Sequence, residues 1–160
     1  MGPIGHTVVS TGVGVGVWAA TGSPFAVPAA AAAGVLVDAD HLLDYYLWYG
    51  RNDKRRLFVL LHAWEFAVAG LALVAAFGGG PILWAAVLGY LSHVVGDHVA
   101  NHPTHPLAYS LGYRIYAKFD LPRLVGEVPE TFNEAVEAVP LWSAVEPTLR
   151  GLARRLKQLR

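Results

Sequence analysis

The chain has 160 residues, no cysteine, 54% hydrophobic residues, 15% charged residues and a net charge of zero. That length builds one domain, and the missing cysteines exclude disulfides, thiolate nucleophiles and thiolate-ligated zinc or iron–sulfur sites. A neutral chain also lacks the broad basic field that nucleic acid requires, so no nucleic-acid partner is expected.

Mean hydropathy is +0.40, and the charges are segregated. Positions 1–50 carry only Asp38, Asp40 and Asp44, and positions 57–101 only Glu65 and Asp97. Residues 5–20 form an apolar run interleaved with Gly12, Gly14 and Gly16. Such glycines weaken a helix in water, but in a membrane bundle they let helices approach closely. The N-terminus has neither the basic region nor the cleavage site of a signal peptide, so this run is expected to stay as a membrane helix.

Thr21-Gly22-Ser23-Pro24 signals a turn. Residues 25–37 are apolar and alanine-rich and deliver Asp38-Ala39-Asp40-His41. The stretch 42–49 is aromatic in the manner of membrane interfaces, and Arg51, Lys54, Arg55 and Arg56 make a short basic loop. Residues 57–77 form a third apolar segment, interrupted by His62 and Glu65. Gly78-Gly79-Gly80-Pro81 ends it, and 82–100 follows with His93 and Asp97.

The expected fold is all-α: a four-transmembrane-helix bundle of two hairpins over residues 1–101. Each span lies near the short end of the roughly 17–25 residues that cross a bilayer. A soluble, wholly buried helical bundle is the competing reading, disfavoured by the lack of a polar helix face. Residues 102–160 are expected to be an interfacial or cytoplasmic helical extension. There Leu141, Val145, Leu149, Leu152, Leu156 and Leu159 recur at helical spacing among Arg150, Arg154, Arg155, Lys157 and Arg160. Such an amphipathic basic helix suits an anionic membrane surface, or equally a partner or second copy in a homo-oligomer. Basic residues in the 51–56 loop and the C-terminal stretch place both termini in the cytoplasm, with the chain in the inner membrane.

Within the four spans the ionisable side chains lie at one level. At about 1.5 Å per residue, His6 is about 24 Å from the Gly22 turn and Asp38 about 21 Å from Pro24. On the second hairpin His62 and Glu65 lie about 20–24 Å from Gly78, and His93 about 20 Å from Gly80. Asp38 and His41 (i,i+3), His62 and Glu65 (i,i+3), and His93 and Asp97 (i,i+4) each share a helix face. With no cation nearby in sequence, carboxylates in apolar surroundings call for a metal. Facing carboxylate–imidazole pairs are how helical bundles build two-metal sites. The expected ligands are His6, Asp38, Asp40, His41, His62, Glu65, His93 and Asp97, around two divalent ions: zinc first, then manganese or iron. His98 reads as an outer or surface residue, His102 and His105 as loop histidines, and Asp44 as a helix-end residue.

The order Gly5-His6, Asp38-Ala-Asp40-His41, His62-Ala-Trp-Glu65, His93-Val-Val-Gly-Asp97 resembles the family of membrane-bound metal-dependent hydrolases, over residues 5 to 101. More distantly, the His/Asp/Glu set is similar to zinc-dependent phospholipase C. Many members of the membrane family carry a His-Arg-x-x-Thr-His element after Asp-x-Asp-His, where this chain has Leu61-His62-Ala63-Trp64-Glu65 without the arginine. The resemblance implies a metal role for the same eight residues.

The function expected is hydrolysis of a phosphoester or phosphoanhydride bond in a lipid or lipid-linked substrate by metal-activated water. Asp40 and Glu65 are the catalytic candidates, with Asp40 orienting the water. Arg51 and Arg55 are candidates to receive a phosphate head group, or else charges that set topology, and Asn101 to orient substrate. A di-metal iron oxidase and a metal transporter or haem-binding membrane protein are the alternatives.

Overall fold

The computed structural model describes residues 1–51 and 55–125, together with positions 151, 154, 155 and 158. The amphipathic helix expected over 141–159 lies outside this range apart from those four positions. Lys54 also lies outside it. The regular elements among the described residues are all helical, with no strand and one isolated antiparallel bridge between Arg56 and Asp120.

Helix α1 (Pro3–Thr21) opens with proline in its first turn, where a missing N–H costs nothing, and stops at Gly22 in the left-handed conformation (φ 75°). Helix α2 (Ala26–Leu36) follows. The second segment does not end at its acidic cluster, as the sequence implied. It passes through a 3₁₀ turn (Val37–Asp40), helix α3 (His41–Tyr45) and a π turn (Tyr46–Gly50). Ala26–Trp48 is thereby one apolar helical stretch of 23 residues, with Asp38 and Asp40 inside it.

Helix α4 spans Trp64–Phe77, ending at Gly78 (φ 67°), and α5 spans Pro81–Ala100. The third segment therefore starts seven residues later than the apolar run at 57 implied. Two short helices, α6 (Leu111–Tyr116) and α7 (Leu121–Val125), complete the described chain.

Two helical stretches are long and apolar enough to cross a membrane, Ala26–Trp48 and Pro81–Ala100. Of their most apolar windows 22% and 28% are buried within the protein, and most of their other residues are partly buried.

Helices α1, α2 and α5 pack against one another and α4 packs on α5. Small residues at the crossings allow this. Ala26, Ala30 and Ala85 are fully buried, flanked by Val13, Val17 and Ala29. A Cβ on Gly14 would meet Val27 Cα at 2.7 Å, one on Gly34 would strike the Ser10 side chain, and one on Gly89 the Ala30 backbone. This close contact of α1, α2 and α5 is what lets ionisable side chains from three helices meet.

Candidate metal centre

Five of the expected ligands converge between α1, the 3₁₀ turn, the segment before α4, and α5. The Nε2 atoms of His62 and His93 are 3.0 Å apart. His62 Nε2 lies 3.3 Å from Asp38 Oδ1 and 3.3 Å from Asp97 Oδ2. His93 Nε2 lies 3.5 Å from Asp38 Oδ1 and 3.4 Å from Asp97 Oδ2. Each imidazole nitrogen thus lies 3.0–3.5 Å from the other and from both carboxylates. A tetrahedron with metal bonds of about 2.0–2.1 Å has edges of about 3.3 Å.

His6 joins from α1, its Nε2 2.9 Å from Asp97 Oδ1 and its ring stacked on His93 at 3.6 Å. The other nitrogen, Nδ1, is buried without a hydrogen-bond partner among the described residues. His41 Nε2 stands 3.5 Å from Asp38 Oδ1. Two ligand groups result: His6, Asp38, His93 and Asp97, and Asp38, His41 and His62, with the donor atoms of each group within 4.8 Å of one another. Asp38 belongs to both. The class defined is an all-helical protein whose buried His/Asp group could hold a metal ion.

Two histidines have their far nitrogen fixed, which selects the tautomer that leaves Nε2 free to ligate. His93 Nδ1 donates to Gly34 O at 2.5 Å. His62 Nδ1 lies 3.1 Å from Asp40 Oδ2, which also accepts the Leu61 N–H at 2.6 Å. Asp40, expected as a ligand and catalytic group, thus stands behind His62 as its orienting carboxylate. Burial by itself pushes the His62 imidazole pKa down, but hydrogen bonds to Asp38, Asp40 and Asp97 outweigh it and hold the pKa well above the usual histidine range, so a metal would bind Nε2 by displacing a proton.

His62 and Glu65 do not share a helix face, because residue 62 precedes α4. Glu65 is turned away from the cluster. Its carboxylate accepts from Ser110 Oγ (2.6 Å), Leu111 N (3.0 Å) and Gly112 N (3.1 Å), closing the first turn of α6. Arg51 is exposed, and the Arg55 side chain, 82% exposed, pairs with Asp120 at 3.4 Å. Asn101 caps α5, donates to Tyr109 Oη at 2.8 Å and accepts from the Met1 amine at 2.8 Å. That amine also lies 2.6 Å from Asp97 Oδ1.

The segment carrying His62 is held by side chains rather than by helical hydrogen bonds. Asp44, read from sequence as a helix-end residue, is fully buried and accepts the N–H groups of Phe58 (2.6 Å) and Val59 (2.8 Å). Tyr90 Oη donates to Leu61 O (2.5 Å) and is bonded to Ala63. Arg114, fully buried, donates to the carbonyls of Phe58 (2.9 Å), Val59 and His62. Burial lowers the pKa of its guanidinium, with Asp40 and Glu65 opposing that. Further bonds from Trp64 N to Tyr109 O and from Leu57 N to Phe119 O tie residues 102–125 across the boundary drawn after Asn101.

The cluster is closed on most sides. His6, His62 and His93 are 1% exposed and Asp97 4%, whereas the side chains of Asp38 and His41 are 22% and 34% exposed. Access therefore lies at Asp38 and His41. No protein-family model, curated protein or solved structure matches the chain.

Proposed function

We propose that the chain is an integral-membrane, metal-dependent hydrolase that cleaves a phosphoester or phosphoanhydride bond in a lipid or lipid-linked substrate. The carrying observation is the pair of overlapping ligand groups, His6, Asp38, His93 and Asp97, and Asp38, His41 and His62, whose donor atoms lie within 4.8 Å of one another in each group. Imidazole and carboxylate donors without thiolate suit zinc, manganese or iron.

In this reading His6, His93 and Asp97 would hold metal on the closed side and His41 and His62 on the open side, with Asp38 common to both groups. Bound ions supply a water with its pKa lowered to about 7 and a positive field for phosphoryl oxygens. Asp38, facing the opening, orients that water; Asp40 keeps the His62 ring in its ligating tautomer. Leu42 and Leu61, chain neighbours of His41 and His62, are 55% and 42% exposed, which suits an apolar substrate.

The four-span arrangement belongs to the same proposal. Phe25, Leu36, Val68, Phe77, Leu83 and Val99 are each more than half exposed, on α2, α4 and α5 or at their ends. So much outward apolar surface suits lipid rather than water. Helix α4, with 14 residues, is about 21 Å long and needs local thinning or flanking residues to cross.

The test is phosphate or head-group release from phosphatidic acid, common phospholipids and polyprenyl phosphates by zinc- or manganese-loaded protein in lipid nanodiscs. Cleavage of one of these is expected, lost on chelation and in Asp38→Asn. No cleavage by metal-loaded protein, or cleavage unchanged in Asp38→Asn, overturns the proposal. Iron with a visible spectrum in the purified protein points instead to the oxidase.

A further inference from the structure

Arg114 is a buried cation whose hydrogen bonds, among the described residues, go to backbone oxygens in one short segment ending at His62. Sequestering a guanidinium costs several kcal/mol unless its donors are well used. Here Nη1 and Nη2 are used on carbonyls that no helix or sheet satisfies, while the buried Nε has no partner among the described residues. Residues 57–63 are not helical, and Val59, a β-branched residue, sits at φ 34°. That conformation is strained for a β-branched residue and persists only where surroundings enforce it. The enforcement is visible: Asp44 takes the Val59 N–H and Arg114 its carbonyl. Three carbonyls converging on one side chain need a fixed fork of donors, which arginine has and lysine lacks.

We infer that Arg114 is a positioning residue for His62: by fixing the carbonyls of Phe58, Val59 and His62, it sets where the His62 imidazole meets Asp38 and Asp97, and so sets the metal affinity of the centre. The inference rests on reading the cluster as a metal centre. It makes the segment after Asn101 part of that centre, although none of its residues belongs to either ligand group.

The test is zinc affinity and stoichiometry of the purified full chain in detergent, for wild type, Arg114→Gln, His62→Ala and the double variant. Arg114→Gln is expected to weaken zinc binding about 10- to 100-fold, the range seen when support behind a ligand is removed. In the His62→Ala background, where binding falls to His6, His93, Asp38 and Asp97, adding Arg114→Gln is expected to change nothing further. Arg114→Lys, which keeps the charge without the fork, is expected to fall between wild type and Arg114→Gln. It carries the test if Arg114→Gln loses its helical circular dichroism.

With cobalt as probe, the visible spectrum of Arg114→Gln should move toward that of His62→Ala. Wild-type affinity in the Arg114 variants overturns the inference. So does an equal loss with and without His62, which would mark a general effect on folding. Wild-type protein that binds no zinc, manganese, iron or cobalt overturns the metal centre itself and this role with it. Absence of lipid hydrolysis with zinc binding intact touches only the proposed reaction.

Discussion

Asp38 and Asp40 stand two residues apart on one 3₁₀ turn, and the turn sends their carboxylates to different partners. Asp38 Oδ1 faces the imidazoles of His41, His62 and His93, whereas Asp40 Oδ2 receives the Leu61 N–H and lies against His62 Nδ1. Replacing Asp40 by Asn keeps the shape but removes the charge behind His62 Nδ1, leaving a neutral and weaker acceptor for that ring and the Leu61 N–H. Asp40→Asn is therefore expected to retain zinc at full stoichiometry with affinity about 10- to 100-fold weaker, whereas Asp38→Asn, altering a side chain common to both ligand groups, should lose stoichiometry. Equilibrium dialysis with elemental analysis distinguishes the two. The identities of His6, Asp38, His62, His93 and Asp97 were legible from sequence because an ionisable group in an apolar run has few other uses. Which of two neighbouring aspartates faces the cluster was not legible, because it depends on how the 3₁₀ turn rotates them. Glu65 misled for a related reason: its i,i+3 spacing from His62 matters only if both lie on one helix.

Helix ends marked by glycine and proline were read correctly at Thr21-Gly22-Ser23-Pro24 and at Gly78–Pro81, since left-handed Gly22 and Gly78 and the prolines of α1 and α5 act locally. The run Leu57-Phe-Val-Leu-Leu-His-Ala63 looked helical by composition. Its backbone is instead claimed by Asp44, Asp40, Tyr90 and Arg114. Arg114 is 52 residues beyond His62, and within the mixed aromatic and basic stretch 109–119 nothing in the sequence sets it apart from Lys118. Packing of α2 on α5 admits a sharper test. A Cβ at Gly89 would strike the Ala30 backbone rather than a movable side chain, so α5 must shift as a unit. Gly89→Ala is expected to destabilise by about 1–3 kcal/mol despite alanine's better helix propensity, read as a lower unfolding temperature in detergent. Because Gly34 O holds the His93 ring from α2, zinc affinity should fall with it. A control at Gly12, where a Cβ meets nothing within 4 Å, should leave zinc affinity unchanged.

At the scale of the molecule, the proposed membrane arrangement fixes which turns share a side. Turns at Ser23 and Gly80 carry no charge, while Arg51, Arg55 and Arg56 cluster between α3 and α4. The positive-inside rule then sets the Ser23 and Gly80 turns outside and Arg51 within the cytoplasm. The alternative is a helical protein whose apolar stretches never cross, and labelling from the two sides of the membrane separates the two. The chain contains no cysteine, so each introduced one is the sole labelling site. Ser23→Cys replaces a partly buried turn residue by a near isostere, a Cβ at Gly80 meets nothing within 4 Å, and Arg51 is exposed, so all three positions tolerate the probe. In intact cells a membrane-impermeant maleimide is expected to label Ser23→Cys and Gly80→Cys, and to reach Arg51→Cys only after the membrane is opened. Equal labelling of Ser23→Cys and Arg51→Cys before permeabilisation would mean that Ala26–Trp48 does not cross. The cluster carried at Asp38, in the middle of that stretch, would then meet its substrate from water, and the lipid reading would fall while the metal centre stood.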